Sequence, residues 1–362
     1  MTDVTPSAHK TAVSSIDVSV VVPVRNERAR LRECLNALIA QDYPDERIEI
    51  LVVDGRSDDG TRGIIKEFCM RHKRVRLLKN YQRTTAHGLN IGIKESRGRI
   101  IVRVDADLIV EPACIGEAVR SLDETGADSV AGAVLPKADG TFQRAMIGAI
   151  CSAFSWGISS LRPRRKAKFI DSIPCGAYRR EVFERIGLFD DDLKKYHTDE
   201  LSCRLRRVGG TITINPKIRA THRFRMNLAK LWERTVYDGM WRIRLFQKHF
   251  TFRYWRQLVP MLLVLSGLVA LVSTALGIFF RLHTLVTIRT VSLSLVGVYL
   301  ALAIVFSIET HIANRLRPNL WVPLTFVTYH TAFGWGMLCG VFRFLGRRGP
   351  RRHRIPRMVP RR

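Results

Sequence analysis

Residues 258–280, LVPMLLVLSGLVALVSTALGIFF, run for 23 positions without a charged side chain. A helix needs roughly 20 apolar residues to cross the hydrocarbon layer, and a chain in lipid must satisfy its backbone polar groups internally. A membrane-spanning helix is therefore expected here. A second span is expected within 291–308, VSLSLVGVYLALAIVFSI. A third apolar region, 319–345, contains His330 and several glycines, which fit a span less well. The net charge of +27 suits a polyanionic partner or an anionic membrane surface. Its placement favours the membrane: basic residues crowd 162–168, 219–256 and the tail RRGPRRHRIPRMVPRR, and the last two groups flank the apolar stretches. The eight arginines from 347 onward should stay cytoplasmic. With a cytoplasmic amino-terminal domain that requires an even number of crossings, so two of the three regions should span and 319–345 should lie in the interface or re-enter.

The first 225 residues have a different pattern. Short apolar runs (VSVVVPV, IEILVVDG, VRLLKN) alternate with amphipathic stretches (ERARLRECLNALIAQ, TRGIIKEFCMRH). Strands apolar on both faces, separated by helices, indicate a parallel α/β sheet covered on both sides. A helix over 27–41 should bury Leu31, Cys34, Leu35 and Leu38, and another should cover 80–97. Residues 1–16 lack the apolar core of a signal peptide and read as a disordered leader. Seven scattered cysteines form no Cys-x-x-Cys pair and suggest reduced thiols in a cytoplasmic setting. The expected domains are thus 17–225 as one α/β unit, 226–257 as interfacial amphipathic helices rich in Trp and Arg, 258–345 as the transmembrane region, and 346–362 as a basic cytoplasmic tail.

Candidate chemistry clusters at strand ends. In IIVRVDADLIV, residues 100–110, Asp105 and Asp107 are one residue apart inside an apolar run. On a strand they would share a face with Arg103, so two readings stand open: an ion pair, or a site for a divalent cation that takes oxygen ligands. VVPVRNE and VVDGRSDDGT end successive strands, and such loops border one cleft in open α/β sheets. Asp54 there could bond a nucleobase or ribose, or it could cap a turn together with Ser57, Asp58 and Asp59. The turn fails as a calcium loop, since Gly55 and Lys66 stand where acids are needed. No P-loop, G-x-G-x-x-G or G-x-S-x-G pattern occurs.

Taken in order, VSVVVPVRNE, ILVVDGRSDDGTRGI, AHGLNIGIKESRGRIIVRVDADL, CGAYRREVFERIGLFDD and TDELSCRLRRVGG resemble the family 2 glycosyltransferases, above all the succinoglycan-biosynthesis type of bacterial exopolysaccharide enzyme. The likeness covers about residues 17–245. It implies an α/β GT-A (Rossmann-like) nucleotide-sugar-binding domain, here followed by interfacial and transmembrane helices, and sugar transfer with inversion at the anomeric carbon. Carried over by position, Pro23, Arg25, Glu27, Asp54 and Asp58 would bind the nucleoside of a nucleotide diphosphate sugar such as a UDP-sugar, with Asp105 at the diphosphate. Asp105 and Asp107 would hold Mg²⁺ or Mn²⁺. Cys175, Gly176 and Ala177 would lie on the acceptor side, Cys175 as a small buried residue rather than a nucleophile.

The general base is expected in YHTDELSCRLRRVGG. Anchoring the family pattern on Leu201 aligns Glu200 with its last acid and Thr198 with the base, leaving Asp199 one place off; Asp199 is the expected base and Glu200 its competitor. YDGMWRIR departs from the Gln-x-x-Arg-Trp signature of processive synthases. The resulting expectation is a multi-pass enzyme of the inner cell membrane. Its catalytic domain is cytoplasmic, and it adds one sugar to a lipid-linked or membrane-presented saccharide in exopolysaccharide or envelope glycan synthesis, with no nucleic-acid partner. The alternatives are a processive synthase, or a non-catalytic protein that binds nucleic acid or anionic lipid.

Overall fold

The computed structural model of the chain describes residues 16–155, 176–224, 226–249, 252–280 and 283–346. The leader up to residue 15, the basic stretch 162–168, Cys175 and the tail from 347 lie outside the described residues.

Strands β1 (Val18–Val24), β2 (Ile48–Asp54), β3 (Val75–Lys79) and β4 (Ile100–Arg103) are parallel, in the order β3-β2-β1-β4. Their alternation divides the apolar residues between two cores. Val18, Val20 and Val22 pack with Leu31, Cys34, Leu35 and Leu38 of α1 (Leu31–Ile39) on one face. Val21, Leu51 and Val53 pack with Ala86, Leu89 and Ile93 of α3 (Thr85–Glu95) on the other. Truncating a side chain such as Leu35 to Ala should cost about 2–5 kcal/mol. Helix α2 (Thr61–Arg71) covers the β2–β3 crossover.

The expected helix at 27–41 begins four residues late. Asn26 takes φ +55°, and the loop after β1 is tied to the loop after β2: Glu27 N donates to Thr61 Oγ1 at 2.9 Å and Arg28 N to Asp59 Oδ2 at 3.1 Å. Those bonds hold the chain off the helical path until Leu31.

The rest of the sheet is mixed. After β5 (Leu108–Val110), α4 (Cys114–Thr125), β6 (Ser129–Lys137) and α5 (Thr141–Cys151), β7 (Gly176–Arg179) inserts antiparallel between β4 and β6. Helices α6 (Arg180–Ile186) and α7 (His197–Arg207) lead to β8 (Ile212–Arg223), which pairs parallel with β6 and antiparallel with β5. Asp105 and Asp107 therefore do not sit on a strand. β4 stops at Arg103, Leu108 N closes a turn onto Asp105 O at 3.0 Å, and the chain leaves β4 to join β8.

Four helices follow the sheet. α8 (Leu228–His249) leads through a 3-10 turn (Phe252–Leu258) to α9 (Val259–Phe279), α10 (His283–Ala313) and α11 (Trp321–Phe344). Two of these stretches, Trp255–Ile278 and His283–Ala313, are long and apolar enough to cross a membrane, and only 11% and 17% of their most apolar windows are buried. A core helix of a soluble protein would hide far more of that surface.

α11, the third apolar region, packs instead along α8. Its glycines are what allow the approach: a Cβ on Gly336 would stand 2.1 Å from Val236 O, and one on Gly239 of α8 would stand 2.2 Å from Phe333 O. His330 is buried and bonded to Phe154 O at 3.1 Å and Tyr299 Oη at 3.0 Å. The same packing hides Trp241, Arg242 and Arg244, which the sequence assigned to a membrane interface; Trp232 and Trp255 are the half-exposed tryptophans of this region.

Candidate active site

The carboxyl ends of β1, β2 and β4 open onto a cleft of about 690 Å³, closed on its far side by the segment Lys194–Asp199, by α8 and by Tyr329 of α11. Pro23, Arg25, Glu27, Asp105, Asp107 and Asp199 all line it. Arg and Lys outnumber Asp and Glu among the lining residues, eight to five, which favours an anionic ligand.

Asp105 accepts a forked bond from Arg103 Nη2 at 2.7 and 2.8 Å, and Arg103 Nη1 donates to Thr198 Oγ1 at 2.7 Å. A single guanidinium, 8% exposed, thus ties the aspartate turn to the amino terminus of α7. Asp107 is 3.0 Å from His222 Nε2 and 3.4 Å from Arg30 Nη1. Burial alone would raise the Asp107 carboxyl, but the His222 bond and the charges of His222, Arg30 and Arg234 outweigh it and hold it below the usual range. Glu27 behaves oppositely: burial, with Asp107 and Asp59 beside it, raises its carboxyl against the pull of Arg30.

Asp199 and Glu200 have separate surroundings. Asp199 lines the cleft, with Arg242 Nη1 3.7 Å from its Oδ1, and the Arg242 guanidinium lies 3.7 Å above the Tyr196 ring. Glu200 is 2% exposed and outside the cleft lining. It accepts from Arg204 Nε at 2.8 Å and stands 2.9 Å from His249 Nε2 of α8. Burial would raise Glu200, yet His249 and Arg204 hold it low. Arg204 in turn bonds Leu188 O at 2.7 Å, so Glu200 pins three segments together. His197 also lines the cleft; burial, with Arg103 and Lys195 nearby, pushes its imidazole well below its ordinary value.

Asp54 and Asp58 are not among the cleft-lining residues. Asp54, 3% exposed, accepts from Ser57 N at 3.1 Å, and Asp58 exchanges two bonds with Asn26, at 2.9 and 3.1 Å. They shape the loops that carry Arg25 and Gly55 to the cleft wall. Gly176 and Ala177 lie within β7, buried. Sequence reading did not find Arg30, His222, Arg234 or Arg242 as cleft residues. His222 reaches Asp107 because β5 pairs with β8 across 115 positions, a contact with no local signal. Arg242 had one, as a cation on the same helix face as Asp238 at i, i+4.

A half-parallel sheet with acids at the carboxyl ends of its strands and a second, antiparallel part is the GT-A arrangement. Over 90% of this chain and 87% of the other, the fold superposes on a mannosyltransferase of Pyrobaculum calidifontis, solved in complex with GDP-Man and Mn2+, with a TM-score of 0.56 and 19% identity. Residues 19–187 match the family model described as Glycosyl transferase family 2.

Among curated relatives, glycosyltransferase AglE of Haloferax volcanii is 36% identical over 118 residues, 32% of this chain. The chain spans only about two fifths (39%) of that relative's length. A dolichyl N-acetyl-alpha-D-glucosaminyl phosphate 3-beta-D-2,3-diacetamido-2,3-dideoxy-beta-D-glucuronosyltransferase of Methanococcus voltae is 24% identical over 90% of this chain and 97% of its own. The succinoglycan biosynthesis protein ExoA of Rhizobium meliloti is 26% identical over 69% of this chain and 76% of its own.

Proposed function

We propose that the protein is an inverting glycosyltransferase that moves a sugar from a nucleotide diphosphate sugar to a lipid-linked or membrane-presented saccharide. The observation that carries this reading is the convergence of Asp105, Asp107 and Asp199 on one cation-rich cleft beyond the strand ends. Pro23, Arg25 and Glu27 form the wall suited to the nucleoside, shaped from behind by Asp54 and Asp58. The cations at the centre of the cleft suit the diphosphate.

In the transfer itself, Asp199 accepts the proton of an acceptor hydroxyl while that oxygen bonds the anomeric carbon from the face opposite the leaving group. The bond from that carbon to the diphosphate breaks, and the nucleoside diphosphate departs with the electron pair. General-base assistance of this kind contributes about 10²–10⁴ in rate. Arg242 Nη1, 3.7 Å from Asp199 Oδ1, faces that carboxylate at the cleft wall.

A divalent ion fits the donor set. Asp105 and Asp107 offer the oxygen ligands that Mg²⁺ or Mn²⁺ prefers. Among the described residues no group of three His, Cys, Asp or Glu side chains gathers for a complete cage; this suits an ion held by one or two carboxylates and completed by substrate phosphate and water. When bound there, the ion would neutralise charge on the departing diphosphate.

The segment 17–225 is the transferase unit in this reading. The α8 region and the helices between 258 and 345 present it to the inner face of a cell membrane, where nucleotide sugars and the basic tail both belong. The naming of an acceptor lipid in the Methanococcus voltae relative supports a membrane-borne acceptor in envelope or extracellular glycan synthesis. The test is a screen of nucleotide sugars for transfer and for slow hydrolysis by the detergent-solubilised chain, with and without EDTA. The reading requires turnover of at least one donor, its loss in chelator and its return with Mn²⁺ or Mg²⁺. Turnover undiminished in chelator would remove the metal from the reading.

A further inference from the structure

Arg103 holds both halves of the cleft at once. It is the last residue of β4, and only 8% of it is exposed. Its Nη2 donates to both oxygens of Asp105, at 2.7 and 2.8 Å, while its Nη1 donates at 2.7 Å to Oγ1 of Thr198 in the first turn of α7. A cation that takes oxygen ligands therefore reaches the Asp105 carboxylate only as this fork opens. A guanidinium has donors, no acceptor and a permanent charge, so a buried one released from a carboxylate needs other acceptors.

Such acceptors stand nearby. Tyr178 of β7 and His197 of α7 are 1% and 7% exposed, and among the described residues neither Tyr178 Oη nor either ring nitrogen of His197 has a hydrogen-bond partner. The charge of Arg103 acts on both groups, and the Phe189 ring packs edge-on against both, at 6.3 and 5.7 Å between centroids. Buried polar groups are almost always bonded, so two together imply a second arrangement in which they are satisfied. A hydroxyl and a neutral imidazole each offer a lone pair to an N–H donor. The entrance to α7 also carries strain: Tyr196 takes φ +61°, and Glu200 N makes the first helical bond there, to Tyr196 O at 2.9 Å. Resting on the glycosyltransferase reading for the role of Asp199, we propose that Arg103 is a positioning residue with two states: it yields Asp105 to a divalent ion arriving with the diphosphate, turns to Tyr178 and His197, and through Thr198 moves the first turn of α7 so that Asp199 faces the acceptor hydroxyl. Occupancy of the donor side is thereby relayed to the base.

The probes are Mn²⁺ alone and Mn²⁺ with UDP or GDP, added to the full-length chain in detergent. Mn²⁺ affinity is read by electron paramagnetic resonance of the free ion, and the response of α7 by hydrogen exchange of its first-turn amides. Neither measurement transfers a sugar, so a failed donor screen with these responses intact would count against the transferase reading alone. Arg103→Gln should bind Mn²⁺ about tenfold more tightly than the parent, within the usual range of coupling between two sites, because the competing cation is gone; a purely structural arginine would not have this effect. Mn²⁺ with nucleoside diphosphate should change exchange at the start of α7 in the parent and leave it unchanged in Arg103→Gln. Thr198→Val keeps the fork on Asp105 and breaks only the link to α7. It should bind Mn²⁺ as the parent does yet lose the exchange response, and it carries the test should Arg103→Gln fail to fold. Mn²⁺ binding no tighter in folded Arg103→Gln, an exchange response retained in Thr198→Val, or a parent whose α7 amides ignore both ion and nucleotide would overturn the proposal.

Discussion

The two ends of the parallel sheet carry the same side chains put to different uses. At the amino ends, Glu49 is 1% exposed and saturated: Ser19 Oγ and Arg97 N donate to it at 2.7 Å, Arg97 Nη2 at 3.0 Å and Arg76 Nη1 at 3.1 Å. Asp17 is held by Tyr43, Arg47 and Arg99. At the carboxyl ends, Asp105, Asp107, Glu27 and Asp199 each meet a cation but keep a face on the cleft. Charge pairing alone therefore does not mark a functional acid here. What distinguishes the two sets is whether a ligand can reach them, and that follows from strand direction, because the crossover loops at the carboxyl ends splay apart to leave a crevice.

The largest expected effect lies at the cleft. Asp199→Asn should keep nucleotide-sugar binding, read by calorimetry, and lose about 10²–10⁴ in transfer rate. Glu200→Gln should lose far less in rate and show its effect as a lower melting temperature, because Arg204 and His249 lose their shared partner. Parent-rate transfer by Asp199→Asn with a dead, well-folded Glu200→Gln would reverse the assignment.

At the opposite end, Glu49→Gln should leave donor binding intact and cost about 3 kcal/mol of stability, the scale of breaking a buried ion pair, in a denaturant titration of the detergent-solubilised chain. A drop in catalysis without a drop in stability would break the contrast between the ends.

The helices can be separated from both by Gly336→Ala. Its new methyl would meet Val236 O of α8 and should cost about 2 kcal/mol, as overpacking does. A larger loss of transfer than of donor binding is expected, because α8 carries Arg242 toward Asp199.

The smallest effect is in pH dependence, where the two ends have opposite signs. The hydrogen bonds and charges of Ser19 and Arg97 overcome burial and depress Glu49 in the fold, so its stabilisation is complete above the unfolded value near ~4.3 and is lost as pH falls through the lower folded value. Burial raises Glu27, so its contribution is present below the unfolded value and lost as pH rises through the higher folded one. Glu27→Gln should be slightly more stable than the parent at pH 7 and equal to it at pH 4, while Glu49→Gln should flatten the acid arm of the stability curve. Parallel curves for the two variants would remove the distinction.

Much of this was legible in the chain because it depends on short-range periodicity. Runs such as VSVVVPV and IEILVVDG are apolar on both faces, and only strands covered on both sides hide them; the uncharged run at 258–280 has the length and composition of a helix able to cross a membrane. The pairing of Arg103 with Asp105 is also local, two residues apart. Asp105 and Asp107 both line the cleft, but a turn rather than the expected strand brings them there.

Contacts set by distant partners were decided by tertiary structure alone. The pattern in IIVRVDADLIV is apolar on both sides of the acids, so nothing within it shows that β4 and β5 belong to different parts of the sheet. His222 is joined to Asp107 by a β5–β8 pairing, and Arg242 to Asp199 by the packing of α8 against α7. Asp199 and Glu200 are adjacent in sequence and chemically alike, yet one helical step of about 100° turns the first to the cleft and the second into the protein. Composition and periodicity specify which elements form and which faces they bury; which of two neighbouring carboxylates meets a ligand depends on the rotation of one helix, set by what packs behind it.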